Sequence, residues 1–178
     1  VGADPSTVEI LGMGTLDFAT AAQADLADFF WIYYGWEGLN AQQLGLSFSY
    51  LPLAELDPVL DYYTPIIASS EEFLSRAPDV ARRFLRALGR GYVFAAASPD
   101  EAAELLLRRA PELDRALVVA SQRWLAGQSE TSLGAWGRQR AEVWQRFADW
   151  AQEHGLVRNA VDANAAFTNG FLPEEPAK

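Results

Sequence analysis

The sequence predicts an α/β layer protein, on three observations. Short β-branched and aromatic runs alternate with alanine-rich amphipathic stretches over roughly the first 70 residues. The run Phe29–Tyr34 is apolar on both faces, and beyond Ser69 the pattern turns to helices alone. Alternating strand and helix signals belong to a sheet with helices packed on it. A strand apolar on both sides is expected inside a parallel sheet.

The elements follow in order. "STVEILGMG" reads as a short strand, with Val8, Ile10 and Leu11 apolar and glycines at its end. "TLDFATAAQADLAD" reads as a helix with Thr15 at its N-cap. Next comes the aromatic run as a second strand, stopped by Gly35, and "WEGLNAQQLG" as a helix closed by Gly45. "LSFSYLPL" and "DYYTPIIAS" read as two more strands, giving β-α-β-α-β-β.

The remainder is helical. "SSEEFLSR" is capped by Ser69 or Ser70, and Pro78 opens a helix in which Val80, Phe84, Leu88 and Tyr92 repeat at helical spacing. Ser98 followed by Glu101 has the spacing of a capping box. "PELDRALVVASQRWL" continues the series, "QSETSLG" is a polar linker, and "AWGRQRAEVWQRFADWAQEHG" is the longest amphipathic segment. Its stripe of Trp136, Arg140, Val143, Trp144, Phe147 and Trp150 is expected to pack as core against the sheet.

Bulk chemistry excludes several functions. A net charge of -10 argues against nucleic acid and anionic lipid as partners. Arg82, Arg83, Arg86 and Arg90 fall on one helix face and read as a solvated face. The chain has no cysteine and one histidine, His154, placed as the last residues of a helix would be. A Ser-His-Asp triad or a zinc site is hard to build from that inventory, so no catalytic residue, metal or cofactor is expected. No apolar run reaches transmembrane length, and the residues given are not expected to include a leader. The opening "VGADPSTVEI" has no Met, so the chain reads as a mature form or as a piece of something longer.

The candidate site lies in "WIYYGWEG". In an open α/β sheet ligands bind beyond the carboxyl ends of strands, where Gly35, Trp36 and Glu37 would sit. Tyr33, Tyr34 and Trp36 offer flat faces to a planar heteroaromatic guest. Glu37 would accept hydrogen bonds from an exocyclic amine or ring N–H. Its plainer role is to complement a helix dipole. A second group, "ELDPVLDYYTP", supplies Asp61, Tyr62 and Tyr63 as a polar and aromatic pocket wall, with Asp57 as a turn former.

Taken with "PDVARRFLRALGRGYVFAAASPDEAAELLL", "SQRWL", "WGRQRAEVWQRFADWAQEHGLV" and "AFTNGFLP", these segments resemble the later part of a pyrimidine-precursor-binding protein. Such thiamine-pyrimidine-synthase-like proteins are substrate-binding components of ABC transporters. The resemblance runs from about Asp4 to Pro173. It implies a type II periplasmic-binding-protein fold of two lobes, each a parallel or mixed sheet flanked by helices. Residues 1–62 would belong to the second lobe, and 63–178 would return to and complete the first. The N-terminal half of that fold would be missing, present as a separate chain or lost as a fragment.

The resemblance further implies an extracytoplasmic, non-enzymatic receptor, with a lipid anchor left open, that captures an aminopyrimidine precursor of thiamine and passes it to an ABC permease. Trp36 and a neighbouring tyrosine would stack on the ring, and Glu37 would read its amino side. Three rivals stand beside this reading. One is a flavin receptor for riboflavin. Another is a pyrimidine synthase using pyridoxal phosphate, for which these residues supply no cleft histidine and only the terminal Lys178. The third is a plain α/β interaction domain whose rings are all core.

Overall fold

The computed structural model describes residues 4–12, 14, 16–128 and 132–174. Just over half of the chain is helical, and no β-strand occurs among the described residues. The predicted α/β class, with its parallel or mixed sheets, is therefore corrected. The segments expected as strands around Val8–Leu11, Phe29–Tyr33, Leu46–Leu51 and Asp61–Ser69 run without a ladder. A strand exists only when a neighbour accepts and donates along its backbone. Val, Ile and aromatic residues report fit to a pleated, half-buried surface rather than an intrinsic conformation.

Helix α1 spans Phe18–Gln23 and is capped by Asp17, which accepts the Thr20 N–H at 3.0 Å. The cap expected at Thr15 lies outside the described residues. A π-helical turn, Tyr34–Gly38, leads directly into α2, Leu39–Gln43. Gly45 ends that segment at φ +72°, the left-handed conformation that glycine adopts without a Cβ penalty. After short turns at α3 (Leu53–Leu56) and Pro58–Leu60, Ser70 caps α4 (Glu71–Arg76) by accepting the Phe73 N–H at 3.1 Å.

Helix α5, Pro78–Ala97, starts with proline in its first turn, where a missing N–H costs nothing. Ser98 precedes α6 (Pro99–Leu107), but its side chain makes no capping bond, so the Ser98–Glu101 box is not formed. Helix α7, Arg115–Gln128, begins beyond Asp114, which accepts the Leu117 N–H at 2.7 Å. It buries Leu117, Val118 and Ser121 and packs against α5, α6, the π-turn and α2. This helix positions the candidate site.

Helix α8 covers Ala141–Glu153 and α9 covers Ala163–Ala166. The tryptophan stripe splits. Trp136 precedes α8 and lies against Tyr92 of α5, ring centroids 5.5 Å apart. Trp144 packs on Tyr63 and Phe167 and Phe147 on Tyr62, all from other segments. Trp150 instead stacks on Phe147 and His154 of its own helix and cap. No sheet lies beneath them among the described residues.

The core is thin. Val118 is the largest fully buried side chain among the described residues, and the accessible surface is 13282 Å². A compact protein of this mass exposes roughly 8,600 Å², so the chain leaves about half as much again open to solvent. Phe29 is 85% and Trp31 66% exposed. The aromatic run therefore keeps its alternation, with Phe29, Trp31 and Tyr33 outward and Phe30, Ile32 and Tyr34 partly covered. The expectation that both faces would be buried is corrected, because no layer covers the outer one.

Candidate functional site

The sequence Tyr34-Gly35-Trp36-Glu37-Gly38 forms the π-turn, and its two glycines are there because rings press on the backbone. A Cβ added at Gly35 would lie 2.7 Å from Cε3 of Trp124 on α7, and one at Gly38 would lie 2.6 Å from Cδ2 of Tyr34. Real Cβ atoms do not approach so closely, so both positions require hydrogen. Between them Trp36 and Glu37 are held at the surface, Trp36 37% exposed.

Tyr34 is the anchor of the turn. Its ring lies 4.3 Å from that of Tyr50 and 5.5 Å from that of Trp124, and its hydroxyl accepts from Gln42 Nε2 at 3.0 Å. Glu37 closes the turn by accepting the Tyr33 backbone N–H on Oε2 at 3.0 Å. That bond satisfies a donor left over at the helix start. Oε1 has no hydrogen-bond partner among the described residues.

Trp36 and Glu37 line a half-open cavity of about 250 Å³, together with Phe18, Phe30, Trp31, Asp17 and Asn40. Phe18 and Phe30 meet edge to face, centroids 5.1 Å apart, and Phe48 backs Phe18 at 6.1 Å. The cavity thus has aromatic walls and two carboxylates. Hydrogen bonds from the Thr20 hydroxyl and then its N–H hold the Asp17 carboxyl below the usual aspartate range.

The residues predicted as a site separate into two places. Trp36 and Glu37 line the cavity, whereas Tyr33, 60% exposed, flanks the turn and Tyr34 packs toward α7. Asp61, Tyr62 and Tyr63 dock on α8. Tyr62 stacks on Phe147 with centroids 4.5 Å apart, the Tyr63 hydroxyl accepts the Arg140 N–H at 2.9 Å, and the Asp61 carbonyl accepts from Arg146 Nη2 at 3.1 Å.

Asp17 and Asn40 were not expected. Asp17 is signalled by the cap spacing to Thr20. Asn40 stands three residues after Glu37 and so on the same side of the turn.

Residues 1–102, more than half of the chain, match the family described as NMT1/THI5 like. The chain belongs to the NMT1/THI5-like family.

Similarity extends to two curated proteins. The riboflavin-binding protein RibY of Chloroflexus aurantiacus is 32% identical over 114 residues, covering 60% of this chain and 32% of RibY. The formylaminopyrimidine-binding protein of Halalkalibacterium halodurans is 29% identical over 115 residues, covering 62% of this chain and 35% of that protein. The aligned stretch thus spans about a third of the length of these relatives. Both are named for binding a small heteroaromatic molecule, and this NMT1/THI5-like chain carries the ring-lined cavity in its family-matching part. No helix among the described residues is long and apolar enough to cross a membrane.

Proposed function

We propose that this chain serves an extracytoplasmic substrate-binding protein that captures an aminopyrimidine precursor of thiamine for an ABC importer, without transforming it. The observation that carries the reading is the cavity in which Trp36 and Glu37 stand beside Phe30 and Trp31, with one Glu37 oxygen unpartnered among the described residues. A pyrimidine stacked on an indole gains about 0.5–1.5 kcal/mol beyond burial. Its amino group donating to a carboxylate adds about 1.5–3 kcal/mol. The cavity volume of about 250 Å³ falls below the roughly 300–1,000 Å³ of pockets for drug-sized ligands, which favours a single ring.

A second reading, riboflavin as the ligand, is favoured by the similarity to RibY and by the open side of the cavity, through which a tricyclic ring would protrude. Tryptophan fluorescence separates the two. The chain is titrated with hydroxymethyl-aminopyrimidine, formylaminopyrimidine and riboflavin in parallel. Saturable quenching by a pyrimidine, lost in Trp36→Ala, is expected. Quenching by riboflavin with no response to either pyrimidine would overturn the first reading in favour of the second. No response to any of the three would remove both.

A further inference from the structure

We propose that the arginine ridge of α5 is a docking surface for an acidic segment of a partner protein. The chain as a whole carries a charge of -10, yet Arg82, Arg83, Arg86 and Arg90 occupy one side of a single helix. Arg82 is engaged internally, 3.4 Å from Asp79 and over the Phe171 ring at 5.2 Å. Arg83, Arg86 and Arg90 have no side-chain hydrogen bond or ion pair among the described residues, and all three are exposed. Like charges three and four residues apart on a helix repel, so these guanidiniums weaken α5 rather than support it.

The surface also has shape. Asp79, Arg82, Arg83 and Arg86 line a shallow, largely open depression of about 370 Å³. Alongside runs a row at helical spacing, Val80, Phe84, Ala87 and Gly91, in which Phe84 is 55% exposed. Guanidinium forks grip carboxylates through paired N–H bonds, and an adjacent apolar row gives a partner's aliphatic side chain a place to bury.

Charge decides between a protein segment and a bilayer. An extended anionic surface would meet the field of the whole acidic molecule and be repelled. A short acidic segment lying on α5 feels chiefly the ridge, since charges beyond about 8–10 Å are screened at ordinary salt. From Arg83 to Arg90 the helix rises about 10 Å, which matches about three residues of extended chain. The occupant is therefore a short stretch with two or three carboxylates and one apolar side chain.

The test uses the whole chain and a fluorescein-labelled peptide of glutamate, aspartate and leucine, read by anisotropy, with phosphatidylglycerol vesicles assayed in parallel. The peptide is expected to bind and to weaken as salt rises. Charge reversal by Arg86→Glu should weaken it about tenfold or more, while Arg109→Glu, the same charge change at an exposed site on the end of α6, stays within about twofold. Circular dichroism reports folding, and if Arg86→Glu unfolds the chain, Arg86→Gln must show the weakening instead. Absence of peptide binding, equal loss in Arg109→Glu, or binding to vesicles but not to peptide overturns the proposal.

Discussion

Glu37 reaches back one turn to Tyr33, its Oε2 accepting the Tyr33 backbone N–H at 3.0 Å. One carboxylate oxygen thereby holds the π-turn closed, while the other has no hydrogen-bond partner among the described residues. Glu37 thus has one oxygen committed to the fold and, on the proposed reading, one left for the guest. Isosteric substitution separates the two roles.

Glu37→Gln keeps an oxygen for the Tyr33 N–H but removes the charge. The melting temperature is expected to change little, and pyrimidine affinity to fall about tenfold, as loss of one charge-assisted bond implies. Glu37→Ala should lose affinity and also about 1 kcal/mol of stability. Fluorescence titration and urea denaturation of the two variants side by side check this. Equal affinity in wild type and Glu37→Gln would exclude the carboxylate from recognition.

The close ring contacts of the turn predict intolerance to a single methyl group. Gly35→Ala drives Cβ into the body of the Trp124 indole, and Gly38→Ala into the Tyr34 ring, neither of which is a flexible chain end. Each is expected to destabilise the fold by about 1–3 kcal/mol, seen as a lower urea midpoint. Gly91→Ala, where nothing lies within 4 Å of the added Cβ, is expected to be neutral or slightly stabilising.

Tyr62 and Tyr63 should respond differently. Tyr62→Phe preserves the stack on Phe147 and leaves stability near wild type, whereas Tyr62→Ala costs about 3 kcal/mol or more. Tyr63→Phe removes the acceptor of the Arg140 N–H at 2.9 Å and costs about 1 kcal/mol. Ligand titration on Tyr62→Phe and Tyr63→Phe tells whether their hydroxyls also serve the guest. With the tyrosines docked on α8, unchanged affinity is the expected result.

Acid should weaken the fold through two aspartates. Thr20 holds the Asp17 carboxyl below its ordinary range, and the Arg123 guanidinium does the same for Asp100 across α6 and α7. The unfolded chain binds protons on these groups at higher pH than the folded chain does. Their contribution is thus present above the ordinary aspartate value and is lost as pH falls through the lowered folded values. Urea midpoints measured down that range should fall for wild type and flatten for Asp17→Asn with Asp100→Asn. Both groups are exposed, so the effect is modest.

Much of the helical half was legible locally. Ser70, Pro78 and Gly45 mark boundaries because a cap, a fixed φ and a left-handed φ are decided within a few residues. Around Gly35 the sequence showed rings beside a carboxylate, but the expected strand end and helix start are instead one π-turn, Tyr34–Gly38, that runs into α2. The Ser98–Glu101 box failed although its spacing was right, because Ser98 joins two helices and makes no side-chain capping bond.

Readable from residue order were the main helices from Glu71 onward, though not all of their ends, the acidic net charge, and rings beside a carboxylate around Gly35, since each follows from covalent neighbours and side-chain chemistry. Only the tertiary structure decided that the strand-like runs find no ladder, that Asp17 and Asn40 join Glu37, and that Tyr62 and Tyr63 go to α8. Those outcomes depend on which distant segments meet. A β-rich composition states that a segment can pair, and the partner alone determines whether it does.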